Sequence, residues 1–180
     1  GNNASNWDEF YEKGIMAIRW QEAGNMTAYT DKPQVNVALQ KAYGDQHHYK
    51  NIATALWEFS KVMKPGDVIF VKNGMHQLVG RGVVTSDYFW DETRQDAFKH
   101  VRQVHWTHKG SWNTPSQMAM KTLTDITPYT DFRNSLQALF GDSSAEDEED
   151  ADEVITPVTI QRTAYTKADF LSQVYLSEED

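Results

Sequence analysis

Residues 142–153, DSSAEDEEDADE, carry eight acidic side chains and no aromatic or large aliphatic one. Such a run cannot bury enough apolar surface to offset the entropy lost on ordering, so it reads as a solvated linker and a domain boundary. The core must then come from residues 1–141, and about 140 residues can supply one. No disulfide staples it, because the 180 residues include no cysteine, which also removes thiolate metal ligands and cysteine nucleophiles. The chain has no apolar run of the roughly 20 residues that cross a bilayer. Its first residues, GNNASNWDEF, are polar and acidic, unlike a signal peptide. The expectation is a soluble, cytoplasmic protein without a membrane partner.

The net charge of −9 argues against a nucleic-acid partner only until the acids are placed. From Asp142 onward twelve acidic residues stand against Arg162 and Lys167 alone, a net of −10. Residues 1–141 therefore hold 15 basic and 14 acidic side chains, a net of +1. A near-neutral domain can present a basic face, so DNA stays open as a partner.

Along residues 1–141 the local signals alternate in kind. Trp7–Tyr11 reads as a short helix or turn, and Gly14–Trp20 (GIMAIRW) as a buried first strand. Lys32–Tyr43 has helical spacing after an early Pro33, and Asn51–Met63 repeats its apolar residues at threes and fours. Lys64-Pro65-Gly66-Asp67 is a turn that launches Val68–Lys72, a strand with little alternation and so expected to be buried on both faces. Asn73-Gly74 signals a hairpin to Leu78–Ser86, where Gly80 and Gly82 mark a bulge or the close approach of a backbone or ligand. His100–Trp106 is a further strand placing Arg102, Val104 and Trp106 on one face, Lys121–Ile126 another candidate strand, and Asp131–Phe140 a closing helix. Helices first and a strand meander after them make an α+β fold, a small curved or barrel-like sheet flanked by helices.

Six tryptophans stand out, three of them expected at strand ends or in loops: Trp20, Trp90 and Trp112. Flat apolar walls beside a few polar groups are what a flipped or single-stranded base requires. A core role is equally open to Trp20, Trp90 and Trp106, and is the expected one for Trp57 inside its helical repeat. Lys72, Arg81, Arg102 and Lys109 fall on or beside the strands and could line up as a phosphate-tracking stripe, although scattered surface cations give the same count.

Catalytic signatures are missing. The chain has no GxSxG, GxxxxGK[ST] or GxGxxG, and Gly80-Arg81-Gly82 is too short to cradle phosphates. On a strand His100 and His105 point to opposite faces, which weighs against a metal site, and Asp91-Glu92 lies in a polar loop. The reading is a binding domain without enzyme chemistry, cofactor or metal.

GIMAIRW, NIATALWEFSKVMKPGDVIFVKNGMHQLVGRGVVTSDYFWDE and HVRQVHW, taken in order, resemble the N-terminal EVE-like domain of McrB-type AAA+ restriction proteins, a member of the PUA superfamily related to YTH readers. The resemblance covers about residues 7–140, and TAYTKADFLSQVYLSEED at 163–180 is similar to the lead-in to a nucleotide-binding domain. It implies an EVE-like domain over 1–141, an acidic linker over 142–162 and a lead-in over 163–180. It also implies that the chain is a fragment cut before an AAA+ domain, with Gly1 a cloning remnant. The implied function is recognition of a methylated DNA base flipped into an aromatic pocket, in a restriction system whose AAA+ domain acts in cis and whose McrC-type nuclease subunit cuts. An RNA-modification reader and a protein-interaction module are the rival readings. By resemblance the pocket falls to Trp20 at the end of the first strand and to Asn51 on the following helix. Tyr88, Phe89 and Trp90 after the Gly-x-Gly strand, and Trp106, complete it. Where YTH readers carry a Ser-Asn pair after the first strand, this chain has Gln21-Glu22, so the same modified base is not implied.

Overall fold

The structure is a computed structural model that describes residues 4–141; the expected linker and lead-in lie outside the described residues. Short helix α1 (Trp7–Glu12) leads through Gly14 into β1 (Ile15–Ile18), followed by two single-turn 3₁₀ segments, Gln21–Ala23 and Met26–Ala28. Helix α2 (Lys32–Tyr43) starts at Asp31, whose carboxylate accepts the Gln34 N–H at 3.0 Å, and has Pro33 in its first turn. Helix α3 (Lys50–Trp57) runs on into a π-turn, Glu58–Val62. Strands β2 (Val68–Asn73), β3 (Gln77–Val84), β4 (Phe89–Trp90) and β5 (His100–Asn113) precede the closing helix α4 (Thr130–Ala138).

The strands form one antiparallel sheet in the order β1-β5-β3-β2, with β4 also on β5, curled into a half-barrel with helices beside it. The expected α+β class with a small curved sheet is thus what the chain adopts. The curl has a local source, because the ladder of β3 against β5 slips at Leu78/Gly80 and again at Arg81/Gly82, and bulges increase strand twist.

The Gly-x-Gly segment lies at the expected bulges and admits the close approach of the β5 backbone, the His105 carbonyl lying 2.9 Å from where a Gly82 Cβ would be, and also of two indoles. A Cβ at Gly80 would meet Trp7, and one at Gly82 would lie 2.5 Å from Trp106. The two tryptophans meet edge to face at 4.7 Å, and the Trp106 Nε1–H donates to the Phe10 carbonyl at 3.1 Å, which seats α1 on the sheet.

Two apolar clusters complete the core. Ile18, Met26, Val35, Leu39, Leu56 and Phe59 join β1 to α2 and α3, while Leu78, Met118, Leu136 and Phe140 join the far end of the sheet to α4.

Three expectations are corrected. Strand β2 is not buried on both faces: it is the sheet edge, and its residues are exposed or half-buried. The strand expected over His100–Trp106 is longer: β5 extends to Asn113, so that Trp112 stands at a strand end, as expected, and packs on Phe140 at a centroid distance of 4.5 Å. Lys121–Ile126 makes no strand; its backbone bends, and the Asp125 carboxylate accepts the Thr127 N–H at 2.8 Å in a local turn.

Candidate functional site

Strand β1 ends at Ile18, and two residues later Trp20 turns the chain with φ 74° and ψ 43°, the left-handed region. For a bulky residue this conformation costs on the order of 1–3 kcal/mol and persists only where its surroundings enforce it. The enforcing contacts converge on its carbonyl. The Ala23 N–H reaches it at 3.0 Å and the His100 Nε2 at 3.1 Å.

His100 opens β5 and is fully buried. Its Nδ1 lies 3.0 Å from the Tyr88 hydroxyl, and that oxygen accepts the Met26 N–H at 3.2 Å. The ends of this relay constrain its protons. A carbonyl only accepts, so His100 carries a proton on Nε2, and in the neutral ring Nδ1 accepts from the Tyr88 hydroxyl while that oxygen accepts the Met26 N–H. Burial holds the His100 ring below its ordinary value near 6.5, against an opposing contribution from the Trp20 carbonyl. Burial also pushes the Tyr88 hydroxyl up to about 12. Both groups are therefore uncharged at neutral pH.

Around His100 the structure gathers three of the expected base-binding residues. The Tyr88 ring stacks on the imidazole at 6.0 Å and 29°, Trp90 meets it edge-on at 4.9 Å and 71°, and Trp20 is bonded to it through its carbonyl. Trp20 and Tyr88 are half-buried against the first core cluster, with Phe59 edge-on to Tyr88 at 6.4 Å. Among the described residues no acceptor takes the indole N–H of Trp20 or Trp90. The group is thus two indoles and a phenol on a rigid, fully hydrogen-bonded support.

Phe89 is separated from this group by strand alternation: as the neighbour of Trp90 in β4 it projects from the opposite face. There it helps line a cleft of about 410 Å³ with Glu9, Ile15, Asp91, Arg94 and Asp96. The Arg94 guanidinium is held by Asp96 at 2.6 and 3.1 Å and by Glu9 at 3.0 Å. These bonds keep the Asp96 carboxyl below the usual range, and Lys13 followed by Arg94 does the same for Glu9. Three carboxylates against Lys13 and Arg94 make this cleft a poor place for phosphate.

The remaining expected residues fall elsewhere. Trp106 lies six residues beyond His100 on β5, about 20 Å along the strand, locked between Trp7 and Gly82. It packs there half-buried and is not part of the aromatic group. Asn51 is exposed in the first turn of α3.

The phosphate stripe does not form as expected. Arg102 is 2% exposed and spends its guanidinium on four backbone carbonyls, Phe59 at 2.6 Å, Met63 at 2.7 Å, Ser86 at 2.9 Å and Ser60 at 3.3 Å. It caps the widened end of α3 and cannot reach a ligand. Lys72 is half-buried with its ammonium on the Ala119 carbonyl, and burial lowers its pKa. Lys109 is exposed on β5 and pairs with the exposed Asp8 at 2.7 Å, while Arg81 on neighbouring β3 is half-buried and donates, among its contacts, to the Thr107 hydroxyl at 3.3 Å.

His100 and Met26 are the residues that sequence reasoning missed. A histidine inside HVRQVHW offers no sign that it will be buried, and a backbone N–H leaves none at all.

Residues 1–130 match the model of a family described as a domain of unknown function, DUF8426. No curated protein matches the chain, and no solved structure does. No helix among the described residues is long and apolar enough to cross a membrane.

Proposed function

The chain belongs to the DUF8426 domain family, and we propose that its described domain reads a modified base in DNA. One observation carries the reading: Trp20, Tyr88 and Trp90, distant in sequence, converge on one buried, neutral histidine. A base taken out of its duplex needs a wall to stack on and unspent donors for its edge, and two partly exposed indoles offer both. Extrusion costs a few kcal/mol and stacking returns roughly 1–3 kcal/mol per base, so edge hydrogen bonds and phosphate contacts must contribute the rest.

In this reading Arg81 and Lys109 contact the flanking phosphates. The Lys109–Asp8 pair is exposed, hence weak and exchangeable for a phosphate. Lys109 stands nine residues from His100 on β5, about 30 Å along the strand, on the order of one duplex turn from the extruded base. In the setting implied by the resemblance, the domain is the cytoplasmic, non-catalytic specificity element of a McrB-type restriction protein. An AAA+ domain in cis would multiply its weak affinity through ring assembly, and a McrC-type nuclease would cut.

The test is a fluorescence titration of the chain at low salt with matched duplexes carrying N6-methyladenine, 5-methylcytosine, 5-hydroxymethylcytosine or no modification. The expected result is a preference for one modified duplex accompanied by tryptophan quenching. Equal affinity for all four overturns the reading in favour of RNA or a protein partner.

A further inference from the structure

The left-handed turn at Trp20 is held by a relay that runs through four separate segments. The Trp20 carbonyl follows β1, Met26 lies in the second 3₁₀ turn, Tyr88 precedes β4 and His100 opens β5. With His100 neutral, every donor and acceptor of the relay has a partner: Nε2–H donates to the Trp20 carbonyl, Tyr88 donates to Nδ1, and the Tyr88 oxygen accepts the Met26 N–H. Removing His100 leaves the Tyr88 hydroxyl without its acceptor, and a proton on Nδ1 reverses that link, so that the Tyr88 oxygen accepts from both Met26 and the imidazolium while its own proton is left without a partner in the relay.

We infer that the His100–Tyr88 relay is a latch that holds Trp20 and Tyr88 in their base-accepting arrangement, so that capture of the modified base requires neutral His100. The inference rests on the reading of the aromatic group as the base site. His100 is here a positioning residue: it touches the stacking residues and leaves the base itself to Trp20, Tyr88 and Trp90.

The charged and titratable groups facing His100 are few. Tyr88 remains protonated, and Glu22, in the turn after Trp20, favours the imidazolium but is itself engaged by the Tyr43 hydroxyl. Arg102, two residues along β5, is occupied by its four carbonyls. The ladder partners Ile18 and Trp90 carry no charge. Burial outweighs the attraction of Glu22 and lowers the imidazole below its ordinary value near 6.5. The unlatched ring, at that ordinary value, therefore takes up a proton before the latched one does. The latch is at full strength above about pH 6.5 and weakens as pH falls from there through the lowered folded value.

The experiment compares the full chain with His100→Phe and His100→Gln, titrating the modified and unmodified duplexes named above from about pH 7.5 down to about pH 5.5. Phe preserves ring volume without the relay, whereas Gln keeps one donor and one acceptor. The readout is the ratio of modified to unmodified affinity, because phosphate attraction alone strengthens as pH falls and cancels in the ratio. The expected result is a ratio reduced about tenfold or more in His100→Phe, substantially restored in His100→Gln, and falling with acid in the wild type but not in His100→Phe. A wild-type chain with no preference at any pH overturns the base-reading proposal and the latch together. A preference that survives in folded His100→Phe overturns the latch alone. If His100→Phe does not fold, the wild-type profile decides: a ratio that tracks His100 protonation, followed by imidazole NMR, upholds the latch, and a flat ratio overturns it.

Discussion

The Trp7 indole fills the space that a side chain at Gly80 would need: a Cβ there would sit 2.2 Å from its Cζ2 and 2.5 Å from its Cη2. Helix α1 is thereby keyed into β3 at a bulge, and the contact reaches β5 through Trp106.

Gly80→Ala is expected to lower stability by about 1–3 kcal/mol, because the buried indole has little room to retreat. Trp7→Ala on its own should cost about 3–5 kcal/mol. Once the indole is gone the clash is gone, so the double variant should cost clearly less than the sum of the two. Urea unfolding of the four proteins measures this, and strict additivity would refute the keyed contact.

Arg102→Met should destabilise by about 3–5 kcal/mol, since it strands four carbonyls, two buried and two half-buried, that one guanidinium now satisfies. Arg102→Lys should recover only part of that, because an ammonium cannot span the four acceptors as a planar fork does. A loss below about 1 kcal/mol for Arg102→Met in urea unfolding would mean that the carbonyls find other partners.

Trp20→Ala and Trp20→Gly both remove the stacking wall, and both should abolish discrimination between modified and unmodified duplex. They should differ in stability. At φ 74° glycine carries no Cβ penalty, so Trp20→Gly should be the more stable of the two by about 1 kcal/mol, the reverse of the usual ranking. Thermal unfolding of the pair checks the order, and an Ala variant more stable than the Gly variant would show that the turn relaxes once the indole is gone.

Arg81→Ala and Lys109→Ala should each weaken binding to every duplex alike and reduce the slope of log affinity against log salt by about 1. For Lys109→Ala the stability change should stay within about 0.5 kcal/mol, because its pair with Asp8 is exposed. A salt slope that does not change removes the residue from the phosphate path.

Local chemistry was well written into the chain. The bounds of α2 follow from Asp31, Pro33 and the apolar spacing, and the turn at Lys64–Asp67 closes as its Pro-Gly-Asp signal demands, with Gly66 at φ 97°. The hairpin at Asn73-Gly74 forms likewise, with Gly74 at φ 67°. Each of these depends on residues within a few positions of one another. The helix expected over Asn51–Met63 forms but changes pitch at Glu58, where Arg102, distant in sequence, binds the Phe59 and Ser60 carbonyls.

The candidate site divides along the same line. Trp20, Tyr88 and Trp90 were legible as aromatics at a strand end and in a connecting segment, because residue type and local pattern mark such places. Which of them would meet, and what would hold them, depended on strand pairing. Pairing of Trp90 with His100 gives Trp90 to the imidazole and sends Phe89, one residue away, to the opposite face. A basic side chain likewise shows its charge in the sequence but not its depth: Lys109 is exposed and Arg102 sealed, although both belong to β5. Element boundaries and turn types were therefore set by neighbours in the chain. Burial, the partners of each charge and the His100 relay were set by contacts between residues as far apart as Asp8 and Lys109, which exist only once the sheet has closed around β5.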